Sequence, residues 1–135
     1  MNTYTIKEVS AMFELPASTL RYYEEAGLLT NIQRSTSGQR IYEECHLHRL
    51  RTICCFKHAG MPITALQAFF SYDESNVEDI SNISQLLIQH EAHIVQELAT
   101  LQEDLIHIRK KIHYYEDIQK AYQNNQPKPE WKDYR

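Results

Sequence analysis

The sequence predicts a mainly α fold, with a winged helix-turn-helix at its N-terminal end and one long coiled-coil helix after it. Three observations predict this. Two short helical patterns flank a break at Glu14-Leu15-Pro16. A turn-forming string, Ser35-Thr36-Ser37-Gly38, lies between segments able to form strands. Apolar residues then alternate at spacings of four and three from Ile94 to Tyr122, with no glycine or proline among them. The expected parts are a winged helix-turn-helix DNA-binding domain over 1–72, a connector over 73–81, a dimerisation helix over 82–122 and a flexible tail over 123–135.

Composition agrees with that class. A chain of 135 residues holds one compact domain, or a small domain plus an extension. Hydrophobic residues make up 42% and charged residues 24%, which excludes a disordered chain, and three glycines and four prolines leave room for long helices. No apolar run approaches the roughly 20 residues needed to cross a bilayer. Met1-Asn2-Thr3-Tyr4 lacks the basic-then-apolar pattern of a signal peptide. A cytoplasmic location without membrane contact is expected. Cys45, Cys54 and Cys55 are too few and too clustered for a disulfide framework, so reduced thiols are expected.

The net charge of −4 is unevenly spread: residues 1–71 carry +1 and residues 72–135 carry −5. Between Arg34 and His58 the cations Arg34, Arg40, Arg49, Arg51 and Lys57 meet only Glu43 and Glu44. A local basic patch is what phosphate binding needs, whatever the sum over the chain.

Each element has its own signal. Thr5-Ile6-Lys7-Glu8 reads as a capping box. Ile6, Val9 and Phe13 then repeat at helical spacing until Glu14-Leu15-Pro16. A second helix opens at Pro16 or Ala17 and stops at Gly27, which tolerates a left-handed backbone. Together they outline a helix-turn-helix. Ile32-Gln33-Arg34 and Gln39-Arg40-Ile41-Tyr42 are the strands of a small wing. Glu43 to His58 is helical, with Leu47, Leu50, Ile53 and Cys54 on one side, and Gly60-Met61-Pro62 breaks it. Ile63 to Tyr72 follows, with Leu66, Phe69 and Phe70 apolar. Asp73 to Ser81 is a polar connector, and Asn82 to Tyr122 is the long helix.

Along that helix Ile94, Leu98, Leu101, Leu105, Ile108, Ile112, Tyr115, Gln119 and Tyr122 form a heptad seam. About 40 residues at a rise of about 1.5 Å make a rod of about 60 Å. No second long helix exists in the chain to cover so narrow a stripe. Self-association is therefore expected, by a parallel or antiparallel coiled coil. The tail from Asn124 is polar and too short to be a separate ligand-binding domain.

A recognition helix has small or polar residues at its start over an apolar underside. Ala17, Ser18, Thr19, Arg21 and Tyr22 can point outward, while Leu20 and Tyr23 can pack inward on Ile6, Val9 and Phe13. Arg21 suits a bidentate contact to guanine or phosphate; alternatively it pairs with Glu24 or Glu25 on its own helix. The Tyr22 hydroxyl suits a phosphate oxygen. Wing residues Arg34, Ser37, Gly38, Arg40 and Tyr42 suit adjacent backbone, and Gly38 would let the loop approach closely.

The string Thr19-Leu20-Arg21-Tyr22-Tyr23-Glu24, followed by Gly27-Leu28-Leu29, resembles the signature of the MerR family of regulators. Ser37-Gly38-Gln39-Arg40-Ile41-Tyr42 resembles that family's wing, and Ala59-Gly60-Met61-Pro62-Ile63 its next helix-helix turn. The likeness covers about residues 3–122. It implies a homodimer joined by an antiparallel coiled coil, bound to a palindromic site in double-stranded promoter DNA, with RNA polymerase engaged there. Family members distort an overlong spacer, a form of indirect readout. Tyr23 joins the implied contact set with Ser18, Thr19, Arg21, Tyr22, Arg34, Ser37, Gly38, Arg40 and Tyr42, as part of the matching string. Two residues depart from the pattern. Glu14 stands where many relatives have Gly, and Pro16 replaces the usual Ser or Thr cap.

Metal-responsive relatives place cysteines at the start of the dimer helix and after it, whereas no cysteine follows Cys55. His90 and His93, three apart, read as solvated or packed side chains, so neither metal nor cofactor is expected. Cys54 falls with Leu47 and Leu50 and reads as a core thiol. Cys55 falls on the other side, near Arg51 and His58, and cationic neighbours raise the fraction of reactive thiolate. Aldehyde- and electrophile-responsive members of the family carry a cysteine at this place, so Cys55, with Cys54 second, is the candidate sensor. The other reading is that none of the thiols is used. An enzyme is disfavoured, because no phosphate loop, nucleophile-base set or ligand cluster is present. An effector-independent DNA-binding or coiled-coil architectural protein is the alternative function.

Overall fold

The computed structural model describes residues 2–134 and orders them as β1 (Thr3–Thr5), α1 (Ile6–Phe13), α2 (Ala17–Glu25), β2 (Gln33–Arg34), β3 (Arg40–Glu43), α3 (Glu44–His58), α4 (Ile63–Ser71) and α5 (Val77–Gln123). A 3-10 turn, Trp131–Asp133, follows. Arg135, the end of the expected tail, lies outside the described residues. The fold is mainly helical, as the sequence predicts. No described helix is long and apolar enough to cross a membrane. The chain forms two compact units that divide between His90 and Glu91, so α5 begins in the first and continues through the second.

The helix starts follow local chemistry. Thr5 Oγ1 accepts from the Glu8 amide at 3.1 Å and Glu8 Oε1 accepts from the Thr5 amide at 3.0 Å, closing the expected capping box. The turn after α1 closes without glycine because Glu14 itself adopts the left-handed conformation, at φ 54° and ψ 41°. The Leu15 amide reaches back to the Ser10 carbonyl at 3.1 Å, and Ser10 Oγ donates to the Leu15 carbonyl. Pro16 caps α2 without a side-chain hydrogen bond; its carbonyl accepts from the Thr19 amide at 3.0 Å. Gly27, at φ 81°, ends α2 as expected, with the Leu28 amide donating to the Tyr23 carbonyl at 2.9 Å.

The sheet has three strands in the order β1-β3-β2, all antiparallel. The wing strands are the expected pair, each shifted by about one residue, with Arg34 opposite Arg40. β1 is an addition. It pairs Tyr4 with Tyr42, and three residues are too few to show the alternation that marks a strand.

The core of the first unit is Val9, Leu20, Tyr23, Leu28, Leu29, Tyr42, Leu47, Leu50, Ile53, Met61 and Leu66. His46 is buried among them and fully engaged. Its Nδ1 accepts from the Glu43 amide at 2.9 Å, so its Nε2–H donates to the Thr30 carbonyl, also at 2.9 Å. The ring thus ties the start of α3 to the segment before the wing. Gln67 of α4 donates to the Ala26 carbonyl at 3.0 Å and ties α4 to the end of α2.

α5 starts at Val77, five residues before the expected Asn82, and the connector shortens to match. Asn76 accounts for the difference: its Oδ1 accepts from the Glu78 amide at 2.9 Å, and Glu78 and Asp79 lie in the first turn, where acids suit the helix dipole. In the second unit, Tyr114, Ile118 and Ala121 are buried on one side of α5. The polar tail reads as flexible in sequence, yet here it packs on that helix. Trp131 and Tyr134 stack at 4° between planes, both touch Tyr114, and Lys111 Nζ lies 3.8 Å from the centre of the Trp131 ring.

Candidate nucleic-acid interface

The helix-turn-helix and wing bring three cations round one cleft. Lys7 of α1, Arg21 of α2 and Arg40 of β3 line it, together with Gly38 and Gln39 of the wing turn. Lys7 is the residue that sequence reasoning passes over: nothing in its local pattern separates it from any exposed lysine, and only the packing of α1 beside the wing places it here.

The wing turn is tightly made. The Gly38 amide donates to the Ser35 carbonyl at 2.9 Å, the Ser35 amide to the Gln39 carbonyl at 2.7 Å, and Arg34 Nη1 to the Gly38 carbonyl at 3.2 Å. Gly38 sits at φ 86°, a conformation that a side chain would strain. Ser35 Oγ and Ser37 Oγ lie 2.9 Å apart. Arg34, Ser37 and Gly38 are exposed.

On α2, Ser18, Arg21 and Tyr22 are exposed and Thr19 is half-buried. Arg21 is not held by Glu24. That carboxylate takes Arg40 instead, whose Nε donates to Glu24 Oε1 at 2.6 Å and whose pKa is held above its ordinary value by the bond. Arg40 thus joins the wing to α2 while still bordering the cleft.

Tyr23 and Tyr42 correct the expected contact set, because both are core residues. Tyr23 is 1% exposed and Tyr42 is wholly covered. Tyr23 lies three positions after Leu20 and shares its inward face, and Lys57 Nζ meets its hydroxyl at 3.5 Å. Tyr42 is sealed between β1 and the buried edge of His46, with ring centres 6.1 Å apart. Its hydroxyl is buried without a hydrogen-bond partner among the described residues, and burial pushes its pKa up.

The cysteines all lie on α3. Cys45 and Cys55 are exposed. Cys54 is half-buried rather than a full core residue, and burial raises its pKa. Arg51 and His58 share the helix with Cys55, one turn to either side, and are exposed. In the second unit the seam residues Leu98, Leu101, Leu105, Ile108, Ile112 and Tyr115 are between 43% and 63% exposed, and Ile94 is half-buried. Within the described chain the seam is therefore uncovered.

This combination of a helix-turn-helix, a short wing and a helix pair preceding a long C-terminal helix defines a winged helix-turn-helix regulator. The chain belongs to the MerR family: residues 4–73 match the model of the MerR HTH family regulatory proteins. Among relatives, it is 31% identical over 106 residues to the HTH-type transcriptional regulator ZntR of Escherichia coli K12, covering 76% of this chain and 75% of that one. It is 38% identical over 81 residues to the regulator AdhR of Bacillus subtilis, covering 58% of each chain. Among solved structures, HiNmlR, described as a MerR family regulator lacking the sensor domain and bound to promoter DNA, superposes with a TM-score of 0.78 at 26% identity, covering 93% of this chain and 97% of that one. A MerR family regulator from Bacillus thuringiensis gives 0.70 at 34% identity, covering 83% and 98%.

Proposed function

We propose that this protein is a sequence-specific transcription regulator that binds a palindromic promoter site as a homodimer and distorts the spacer between promoter elements. The observation that carries this reading is the convergence of Lys7, Arg21 and Arg40 on one cleft between helix-turn-helix and wing. Paired cations at a recognition helix and wing suit phosphate and guanine edges. HiNmlR, similar over most of its length, is bound to promoter DNA. In this reading Ser18, Thr19, Arg21 and Tyr22 meet the duplex from α2, and Arg34, Ser37, Gly38 and Arg40 from the wing.

The uncovered seam from Ile94 to Tyr115 supports the dimer. An apolar stripe at heptad spacing is stable when a second helix covers it, and the family's pairing is antiparallel. RNA polymerase is the partner at the promoter, and the cytoplasm is the compartment. The test is selection of bound fragments from genomic DNA, then footprinting with polymerase. A regulator changes open-complex formation at the selected site. An architectural binder merely occludes it, and no selected sequence at all would reject the proposal.

A second reading concerns Cys55 as a sensor of electrophiles or aldehydes. Its exposure on α3, between Arg51 and His58, favours it over the half-buried Cys54. Output from the target promoter should change when aldehyde is added, and Cys55→Ser should abolish the change. A Cys55→Ser strain that responds like its parent removes this reading.

A further inference from the structure

A cleft away from the three convergent cations opens between α3, α4 and the first turns of α5. Cys45, Arg49 and Thr52 line it from α3, at spacings of four and three that put them on one helix face. Phe69, Phe70 and Tyr72 make an apolar wall, and Glu74 stands exposed at the rim.

Arg49 sets the chemistry. Its guanidinium carbon lies 4.2 Å from the centre of the Phe70 ring. Among the described residues its buried Nε donates to nothing and no carboxylate pairs with it. Arg40, by contrast, has Glu24. Burial pushes the Arg49 pKa down. Nε–H is one of the five donors of the guanidinium, and holding it away from water without a partner costs free energy that an anion at the fork can return. A carboxylate matches the planar fork of arginine. Aromatic rings beside it suit a flat apolar body.

We infer that this cleft binds a small carboxylate with a flat apolar body, the carboxylate taken by Arg49 and the body lying on Phe69, Phe70 and Tyr72. Such a ligand touches α3, α4 and Ile83 of α5 together, so its binding acts on how these three pack. The site does not depend on the DNA-binding reading, since it is tested on the protein alone.

The probe is benzoate, with benzamide as its neutral isostere and inorganic phosphate as the anion without an apolar body. Calorimetric titration of the full chain should give one saturable benzoate site. Benzamide and phosphate should bind about tenfold more weakly or worse, and Arg49→Gln should weaken benzoate by a similar factor. In the parent protein the Arg49 Nε–Hε resonance, assigned by through-bond connectivity to its own backbone, should move as benzoate saturates, which holds however well the variants fold. Absence of benzoate binding, equal binding of benzamide, full affinity in a folded Arg49→Gln, or an Arg49 resonance that stays in place would each overturn the site.

Discussion

Glu24 of α2 grips Arg40 of β3, carboxylate to Nε, at 2.6 Å. The two are sixteen residues apart, and both side chains are three-quarters or more covered. The pair fixes the wing against the helix that would enter the groove, and it leaves Arg21 free of the acid nearest to it on α2.

Arg21 and Arg40 should therefore fail in different ways. Arg21→Ala should weaken DNA binding, reduce the salt slope of the binding constant by about one, and leave stability unchanged. Arg40→Ala should weaken binding and also lower stability by about 1 kcal/mol, because the tie to Glu24 goes with the charge. Salt-dependent binding isotherms and thermal melts separate the two. Unaltered isotherms in both variants would remove the contact assignment.

Glu14 holds a left-handed backbone that glycine adopts without strain. Glu14→Gly should stabilise the first unit by up to about 1 kcal/mol, the left-handed penalty outweighing the added freedom of the unfolded chain. Urea midpoints of parent and variant test it; a destabilised variant would mean that the Glu14 side chain contributes more than its backbone costs.

Tyr42→Phe deletes a buried hydroxyl that has no partner among the described residues. The variant should be as stable as the parent or more so, since the desolvation cost of the hydroxyl disappears. DNA affinity should be unchanged, in keeping with the ring's place in the core. Weakened binding in a folded Tyr42→Phe would return Tyr42 to the contact set.

Leu105→Glu should break the proposed dimer, raising its dissociation constant by about a hundredfold or more through a buried unpaired charge. Sedimentation velocity at micromolar protein reads the change. A dimer that survives the substitution would count against the seam.

Tyr134 donates its hydroxyl proton to Asp117, and that bond raises its pKa from 10.0 to about 12. A phenol whose folded pKa lies above its unfolded value stabilises fully below the unfolded pKa and loses that contribution as pH rises through the folded one. The tail contact in the parent should therefore outlast that in Tyr134→Phe near neutral pH, and the gap should close as pH climbs from 10.0 through about 12. Emission of Trp131, the single tryptophan, reports it during urea titration. A gap that persists above pH 12 would assign the contact to ring stacking alone.

Much of this chain was legible one element at a time. The Thr5–Glu8 capping box, the stop at Gly27, the Ser35–Gly38 turn and the heptad seam are each written within a few residues, because capping, left-handed turns and helical period are local properties of the backbone. The start of α5 at Val77 was missed, because the polar run from Asp73 to Ser81 reads as a connector and hides the cap that Asn76 makes ahead of Glu78 and Asp79. β1 was not, since three residues become a strand only when β3 lies beside them.

The sequence by itself determined the order of helices, turns and wing, the basic stretch around them, and the apolar stripe along α5. Only the tertiary structure decided which side chains that order presents. It sent Tyr23 and Tyr42 into the core, gave Glu24 to Arg40 rather than to Arg21, brought Lys7 to the cleft, left Arg49 half-buried beside Phe70, and seated Trp131 and Tyr134 on Tyr114. The reason is that periodicity specifies backbone and face, whereas burial and partner choice depend on which distant elements meet, and the energies that settle them come from contacts far apart in the chain.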